Sequence, residues 1–168
     1  CYSQHDPKAL QALADQHGLE FGLKLSNTFP VDVKQGELPS EEMYMAGKSL
    51  FPLTIEMANR IGKEFGGKLR ISYSGGADFF NIDRIFSCGI WPITMATTLL
   101  KPGGYQRLKQ IGDILEKKPY HPFTAVDVEK TAAMFDLLLG DNLQGRKQHI
   151  PAAQAHLQVG IFVLYCLS

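Results

Sequence analysis

Two short clusters of small residues have the composition of a phosphate-binding site. One is Ser74-Gly75-Gly76, directly after the apolar segment 69–73, and the other is Ala96-Thr97-Thr98, directly after the apolar segment 90–95. A glycine pair lets the backbone approach an anion closely, and unpaired N–H groups supply the hydrogen-bond donors. If both segments are neighbouring parallel strands, the clusters lie at the edge of the sheet where α/β proteins bind ligands.

Two further clusters have the same character. Ser26-Asn27-Thr28 offers side-chain donors and acceptors, and Ala46-Gly47 precedes a helical segment whose N-terminus a ligand could approach. Each cluster also has a purely structural interpretation: turn chemistry for Ser26-Asn27-Thr28, a helix entry for Gly47, and a strand-to-helix turn for Gly75-Gly76. Lys48 is expected to lie on the surface. Active sites of β/α barrels lie at the C-terminal ends of strands, which favours the functional interpretation.

Apolar periodicity predicts the elements that would carry these clusters. The clearest helix has Leu50, Leu53, Met57, Ile61 and Phe65 at helical spacing. The predicted helices cover residues 7–17, 49–65, 80–88, 105–117 and 127–139, and the predicted strands cover residues 19–25, 69–73 and 90–95. Polar loops are predicted over residues 29–46 and 140–151, and residues 152–167 have mixed apolar character without a clear type.

The order of these elements predicts an α/β fold. Strands that alternate with helices are parallel and are joined by right-handed crossovers. Three strands are too few to close a barrel, which usually needs about eight. We therefore expect a partial (β/α)8 TIM barrel with roughly the last three strand–helix units over residues 1–120, followed by a helical C-terminal extension over residues 121–168.

The composition excludes several classes of protein. Lys plus Arg and Asp plus Glu are both 17, so the chain lacks the basic excess of a nucleic-acid-binding protein. No apolar run approaches the length of about 18 residues that a membrane span needs, so no membrane partner is expected. Cys1, Cys88 and Cys166 form no CxxC motif, so no metal site is expected, and such a sparse set suits the cytoplasm.

The motifs together resemble one family of flavoproteins. They are Leu25-Ser26-Asn27-Thr28, Met45-Ala46-Gly47, the run from Ser72 to Ala77 and the run from Ile93 to Tyr105. In this order they are similar to the selenate reductase subunit family, relatives of dihydropyrimidine dehydrogenase whose FMN domain resembles the dihydroorotate dehydrogenase barrel. The resemblance covers about residues 19–117 and is most specific between Ser72 and Tyr105.

The resemblance implies a role for each cluster. Ser26, Asn27 and Thr28 would line the substrate side of the flavin. The FMN phosphate would be held by Ala46, Gly47, Ser74, Gly75, Gly76, Ala96 and Thr97. The catalytic residue, the iron–sulfur cysteines and the NADPH- or FAD-binding part of such enzymes would lie outside this chain.

The expected function is therefore that of a fragment of an FMN-dependent oxidoreductase acting on a small molecule. Its partners would be the N-terminal half of the barrel or other oxidoreductase subunits, and the fragment alone would have little or no activity. A chain that begins at Cys1 and ends in an apolar segment fits this expectation. Two alternatives stay open: a non-redox barrel enzyme that binds a phosphorylated small molecule, and a structural fragment without chemistry.

Overall fold

The computed structural model describes residues 6–26, 28–33, 36, 39, 42–119, 122–145 and 162–164. Its helices are α1 (Pro7–Gln16), α2 (Phe51–Glu64), α3 (Ile82–Ser87), α4 (Thr97–Leu100), α5 (Gly104–Leu115) and α6 (Val128–Gly145), and a 3-10 helix (Gly47–Leu50) leads into α2. Its strands are β1 (Gly22–Lys24), β2 (Thr28–Asp32), β3 (Glu42–Ala46), β4 (Arg70–Ser72) and β5 (Phe162–Leu164).

The main sheet has the strand order β4-β1-β5. Strands β1 and β4 are parallel, with Leu23 opposite Ile71, as the alternating order of helices and strands predicts. Strand β5 is antiparallel to β1. Within the described residues the sheet does not close into a barrel, which agrees with the prediction of a partial one.

The predicted strand over residues 90–95 is wrong in extent. Only one parallel bridge forms there, between Tyr73 and Ile93. The Tyr73 N–H donates to the Pro92 carbonyl at 2.9 Å, and the Thr94 N–H donates to the Tyr73 carbonyl at 2.8 Å. Proline has no N–H to continue the ladder, which limits the pairing. The two segments nevertheless run side by side, as the sequence predicts.

The predicted loop over residues 29–46 is also wrong, because strands β2 and β3 form an antiparallel hairpin there. Thr28 pairs with Ala46 at one end, and Asp32 pairs with Glu42 at the other. Phe29 and Val31 alternate with more exposed residues, which is the period of a strand. A proline such as Pro30 is tolerated in a strand with a free edge, so it does not exclude this pairing.

The predicted helices are confirmed to within a few residues, except at the C-terminal end of α6. The loop predicted from residue 140 is wrong at its start, because α6 continues to Gly145. Residues 146–151 lie outside the described residues, as do most of residues 152–167, where only β5 is described. The division into a barrel part and an extension at residue 120 stays a prediction.

The core lies between the sheet and helices α2 and α6. Ile71, Tyr73, Ile55 and Ile90 are fully buried there. Along β1, Leu23 is buried in a second cluster with Leu69 against α1 and the end of α2, whereas Lys24 is only half-buried. In the described part of the chain, no helix is long and apolar enough to cross a membrane.

Candidate functional site

Three glycines bring the ends of three segments into backbone contact. Gly47, Gly75 and Gly76 all have positive φ angles, of 68°, 65° and 87°. A Cβ on Gly76 would lie 2.5 Å from the Gly47 carbonyl oxygen, and one on Gly47 would lie 3.0 Å from the Thr97 Cγ2. Since an L side chain fits neither the angle nor the space, only glycine allows this approach. We call Gly47, Gly75, Gly76 and Thr97 the glycine cradle.

Side-chain donors bind the carbonyl groups of the loop at residues 75–77 and hold it in place. The Tyr73 hydroxyl donates to the Gly75 carbonyl at 3.3 Å, and the Asn81 side-chain amide donates to the Gly76 carbonyl at 2.9 Å. The Thr98 hydroxyl donates to the Ala77 carbonyl at 3.0 Å, which ties the following segment to the same loop.

The amide groups of that loop have no hydrogen-bond acceptor in the described part of the chain. Within the described parts of the chain, the N–H groups of Gly75, Gly76 and Ala77 donate no hydrogen bond. Consecutive backbone N–H groups of this kind form an anion-binding concavity. Such donors are of the type that a phosphate, a sulfate or a carboxylate accepts hydrogen bonds from.

Most of the predicted phosphate-binding residues lie together. They line one crevice whose walls are Gly47, Ser74, Gly75, Gly76, Ala77, Thr94, Met95, Ala96, Thr97 and Thr98. Ala46 is outside this lining and ends β3 directly before Gly47. The crevice joins segments that are far apart in sequence.

Ser26, one of the predicted substrate-side residues, borders the cradle. A Cβ on Gly75 would lie 2.7 Å from the Ser26 carbonyl oxygen, so the end of β1 contacts the loop after β4. The Ser26 hydroxyl donates to the Thr28 carbonyl at 2.6 Å, which fixes the entry to the hairpin. Asn27 lies outside the described residues.

A larger cavity of about 160 Å³ adjoins the cradle. Its lining is Gly47, Lys48, Asp78, Thr97, Thr98, Lys101, Pro102, Gly103, Gly104 and Arg107. We call it the outer cavity. It carries the cations Lys48, Lys101 and Arg107 and one carboxylate, Asp78, so its formal charge is +3 − 1 = +2. A dianion would be attracted to it.

Sequence reasoning missed most of these charged residues. Lys48 has a side chain that is 63% exposed, as expected, yet its ammonium group pairs with Asp78 at 2.9 Å. The Asp78 side chain is only 7% exposed and also accepts a hydrogen bond from the Phe80 N–H at 2.8 Å. Lys101 and Arg107 could have been suspected only from their closeness in sequence to Thr97 and Gly103-Gly104.

The Tyr73 phenol lies beside the cradle and has a shifted pKa. Burial raises the pKa of the Tyr73 phenol well above its ordinary value, so this group stays neutral and supports the loop. Among the described residues, no three His, Cys, Asp or Glu side chains are close enough together to hold a metal ion.

The family comparison supplies the class of protein. The family described as "Oxidoreductase YgfK, N-terminal TIM-barrel domain" matches residues 7–146. The chain belongs to this family. The expected TIM barrel and the expected oxidoreductase class are thereby confirmed at the level of the family.

Curated relatives agree with this assignment. The proteins named "Putative oxidoreductase YgfK" from Escherichia coli strain K12 and from Escherichia coli O157:H7 are each 52% identical to this chain over 121 residues. The match covers 72% of this chain and 12% of each relative, so the chain spans a small part of these YgfK proteins. No solved structure matches the chain.

Proposed function

We propose that this chain supplies the phosphate-binding part of the FMN site in an oxidoreductase barrel. The observation that carries the proposal is the contact between Gly76 and Gly47, which sets free N–H groups beside a cationic cavity. Membership of an oxidoreductase TIM-barrel family supports a redox cofactor. In such barrels, phosphate groups frequently bind to the loops after the last two strands.

The residues fit the phosphate of FMN in hydrogen-bond donors and in charge. A phosphate monoester carries about −1.5 to −2 charges near pH 7, which the formal +2 of the outer cavity matches. Gly47, Ser74, Gly75, Gly76, Ala96 and Thr97 would surround the phosphate oxygens, with Ala46 directly beside them. The flavin, when bound, supplies hydride or electron transfer, and this chain holds and orients it.

The end of β1 would serve the substrate. Ser26, Asn27 and Thr28 follow β1, and the Ser26 carbonyl lies against the cradle. Their hydrogen-bonding groups would line the substrate side of the flavin. The substrate would be a small molecule, and selenate or an unsaturated heterocycle are both compatible with this chemistry.

The whole enzyme would contain more than this chain. The chain matches only 12% of its curated relatives, so most of a YgfK-like protein lies outside the matched part. Iron–sulfur clusters and an NADPH- or FAD-binding part would belong to that remainder, and the whole protein would act in the cytoplasm. The remaining barrel strands and the catalytic residue would come from that protein as well. We expect the isolated chain to bind flavin without substantial turnover.

A fluorescence titration with two flavins tests the proposal. FMN and riboflavin differ only in the phosphate, so the difference in affinity isolates the phosphate contact. We expect the full chain to bind FMN at least about tenfold more tightly than riboflavin, which corresponds to about 1.4 kcal/mol. Equal affinities, or no binding of either flavin, would contradict the proposal.

One observation favours a second candidate, a non-redox barrel that binds a phosphorylated small molecule. The donors of the cradle and the cations of the outer cavity recognise a phosphate whatever molecule carries it. The same titration separates the candidates. Binding of inorganic phosphate by a chain that binds no FMN would favour the second candidate, and binding of neither would leave a structural fragment.

A further inference from the structure

Phe80 is a large apolar side chain that stays on the surface beside the outer cavity. It is 69% exposed, although helix α3 begins only two residues later and buries Ile82. Its ring contacts the Phe79 ring edge-on at 5.4 Å between centroids, which fixes it from one side. Because the ring is exposed and held in place, charged side chains at the surface can reach its face.

The Phe80 ring contacts two of the three cations of the outer cavity. The Lys48 ammonium nitrogen lies 4.6 Å from the ring centroid, and the Arg107 Cζ lies 5.5 Å from it. Both distances are within the range of a cation–π interaction, in which the negative face of the ring attracts the cation. The Arg107 Cζ also lies 5.6 Å from the Phe79 centroid.

The two cations come from different parts of the chain. Lys48 belongs to the 3-10 helix before α2, and Arg107 belongs to the first turns of α5. Lys48 also has the Asp78 carboxylate, whereas Arg107 has no carboxylate partner among the described residues. Among the described residues, the Phe80 ring therefore contacts both cations.

We propose that Phe80 is a positioning residue that holds Lys48 and Arg107 at the outer cavity, where both meet a phosphate monoester. The inference rests on the proposed function, because the ligand is the phosphate that the glycine cradle receives. A face-on contact leaves the N–H groups of Arg107 available to the anion. The Lys48 ammonium group has three donors, so it keeps donors besides the one that pairs with Asp78. Holding the cations before the ligand arrives lowers the entropic cost of binding, so the ring raises affinity without contacting the ligand.

The test compares Phe80→Leu with Phe80→Tyr in the full chain. Leucine keeps apolar bulk and removes the ring, whereas tyrosine keeps the ring. We expect Phe80→Leu to weaken the binding of FMN and of inorganic phosphate by about tenfold, and Phe80→Tyr to bind like the wild type. Since the side chain is largely exposed, both variants should keep the wild-type melting temperature.

A double-mutant cycle supplies a readout that a purely structural role would not change. In an Arg107→Gln background, Phe80→Leu should cost clearly less affinity than in the wild type, because one of the two cations is already gone. Equal costs in both backgrounds, unchanged or tighter binding by Phe80→Leu, or failure of tyrosine to replace phenylalanine would each overturn the inference.

The two proposals can fail separately. If the wild type prefers FMN to riboflavin and Phe80→Leu binds FMN equally well, the role of Phe80 is wrong and the phosphate site stands. If the wild type binds neither FMN nor inorganic phosphate, both proposals are overturned.

Discussion

A methyl group on Gly76 would lie 2.5 Å from the carbonyl oxygen of Gly47. The backbone of the loop after β4 therefore touches the start of the 3-10 helix, although the two residues are far apart in sequence. This contact closes one side of the glycine cradle and leaves the neighbouring N–H groups facing no protein acceptor in the described residues. It is the reason that we propose an anion site at this turn between strand and helix.

Replacement of Gly76 by alanine should damage both the fold and the site. The positive φ costs about 1–2 kcal/mol for a residue with a side chain, and the clash with Gly47 adds about 1–3 kcal/mol. Gly18 is the matched control, because its φ is +65° and no atom lies within 4 Å of an added Cβ. In urea unfolding, Gly76→Ala should lose clearly more stability than Gly18→Ala, and only Gly76→Ala should lose FMN affinity. Equal losses would contradict the close approach.

Replacement of Arg107 by glutamine should weaken phosphate binding. The guanidinium group lines the outer cavity and would donate charge-assisted hydrogen bonds, so we expect a loss of about tenfold and a weaker dependence of affinity on salt. Lys109→Gln removes one charge from the same helix outside the cavity lining and should have little effect. Calorimetric titration with inorganic phosphate at two salt concentrations checks this, and similar losses in both variants would argue against a local contact.

Replacement of Tyr73 by phenylalanine should loosen the cradle loop. The variant keeps the buried ring and its contact with Phe51, whose centroid is 6.4 Å away, and loses the hydrogen bond to the Gly75 carbonyl. We expect a loss of about 0.5–1.5 kcal/mol in the free energy of unfolding and a smaller loss of FMN affinity. Urea unfolding and flavin titration measure the two effects. A variant as stable as the wild type would show that the bond contributes nothing.

Asp127 should make stability depend on pH below neutrality. Its carboxylate accepts a hydrogen bond from the Lys130 N–H at 2.9 Å and pairs with the Lys130 ammonium group at 2.9 Å, at the start of α6. Hydrogen bonds from Lys130, first from its backbone, lower the pKa of Asp127 below its ordinary value of 3.8. The unfolded chain thus takes up the proton first, and the stabilisation present above about pH 4 is lost as the pH falls through the lowered pKa.

An Asp127→Asn variant tests this dependence. It should be less stable than the wild type near pH 6, with a difference that shrinks as the pH falls toward 3. Asp113→Asn is the control, since Asp113 lies on the exposed surface of α5 and forms no ion pair within the described residues. Urea unfolding across this pH range measures both variants, and a constant difference for Asp127→Asn would contradict the linkage.

Local patterns in the sequence were sufficient for much of the fold. The spacing of Leu50, Ile61 and Phe65 predicted α2, and a short apolar run that ends in glycine predicted β4. The hairpin of β2 and β3 was missed because proline and glycine, here Pro30 and Gly36, usually interrupt strands. The pairing of Thr28 with Ala46 joins residues far apart in sequence, so no local pattern indicates it.

The sequence indicated the candidate site only through its glycines, whose backbone adopts conformations that other residues rarely adopt. Gly47, Gly75 and Gly76 stood out because glycine adopts the positive φ angles found there, although a glycine pair after a strand is also common in simple turns. Arg107 and Asp78 did not, since a charged residue in a helix or a loop is usually solvated. They reach the cavity only because α5 and the loop after β4 pack beside Thr97. Tertiary contacts of that kind leave no local pattern.

The amide resonances of Gly75, Gly76 and Ala77 report on the phosphate contact at the atoms that would make it. In a nitrogen-15 NMR titration of the full chain, we expect FMN and inorganic phosphate to shift these three N–H signals downfield, because a charged acceptor deshields the proton. Riboflavin should leave them unchanged. If FMN binds while these signals stay in place, or if riboflavin shifts them equally, the glycine cradle is not the phosphate site.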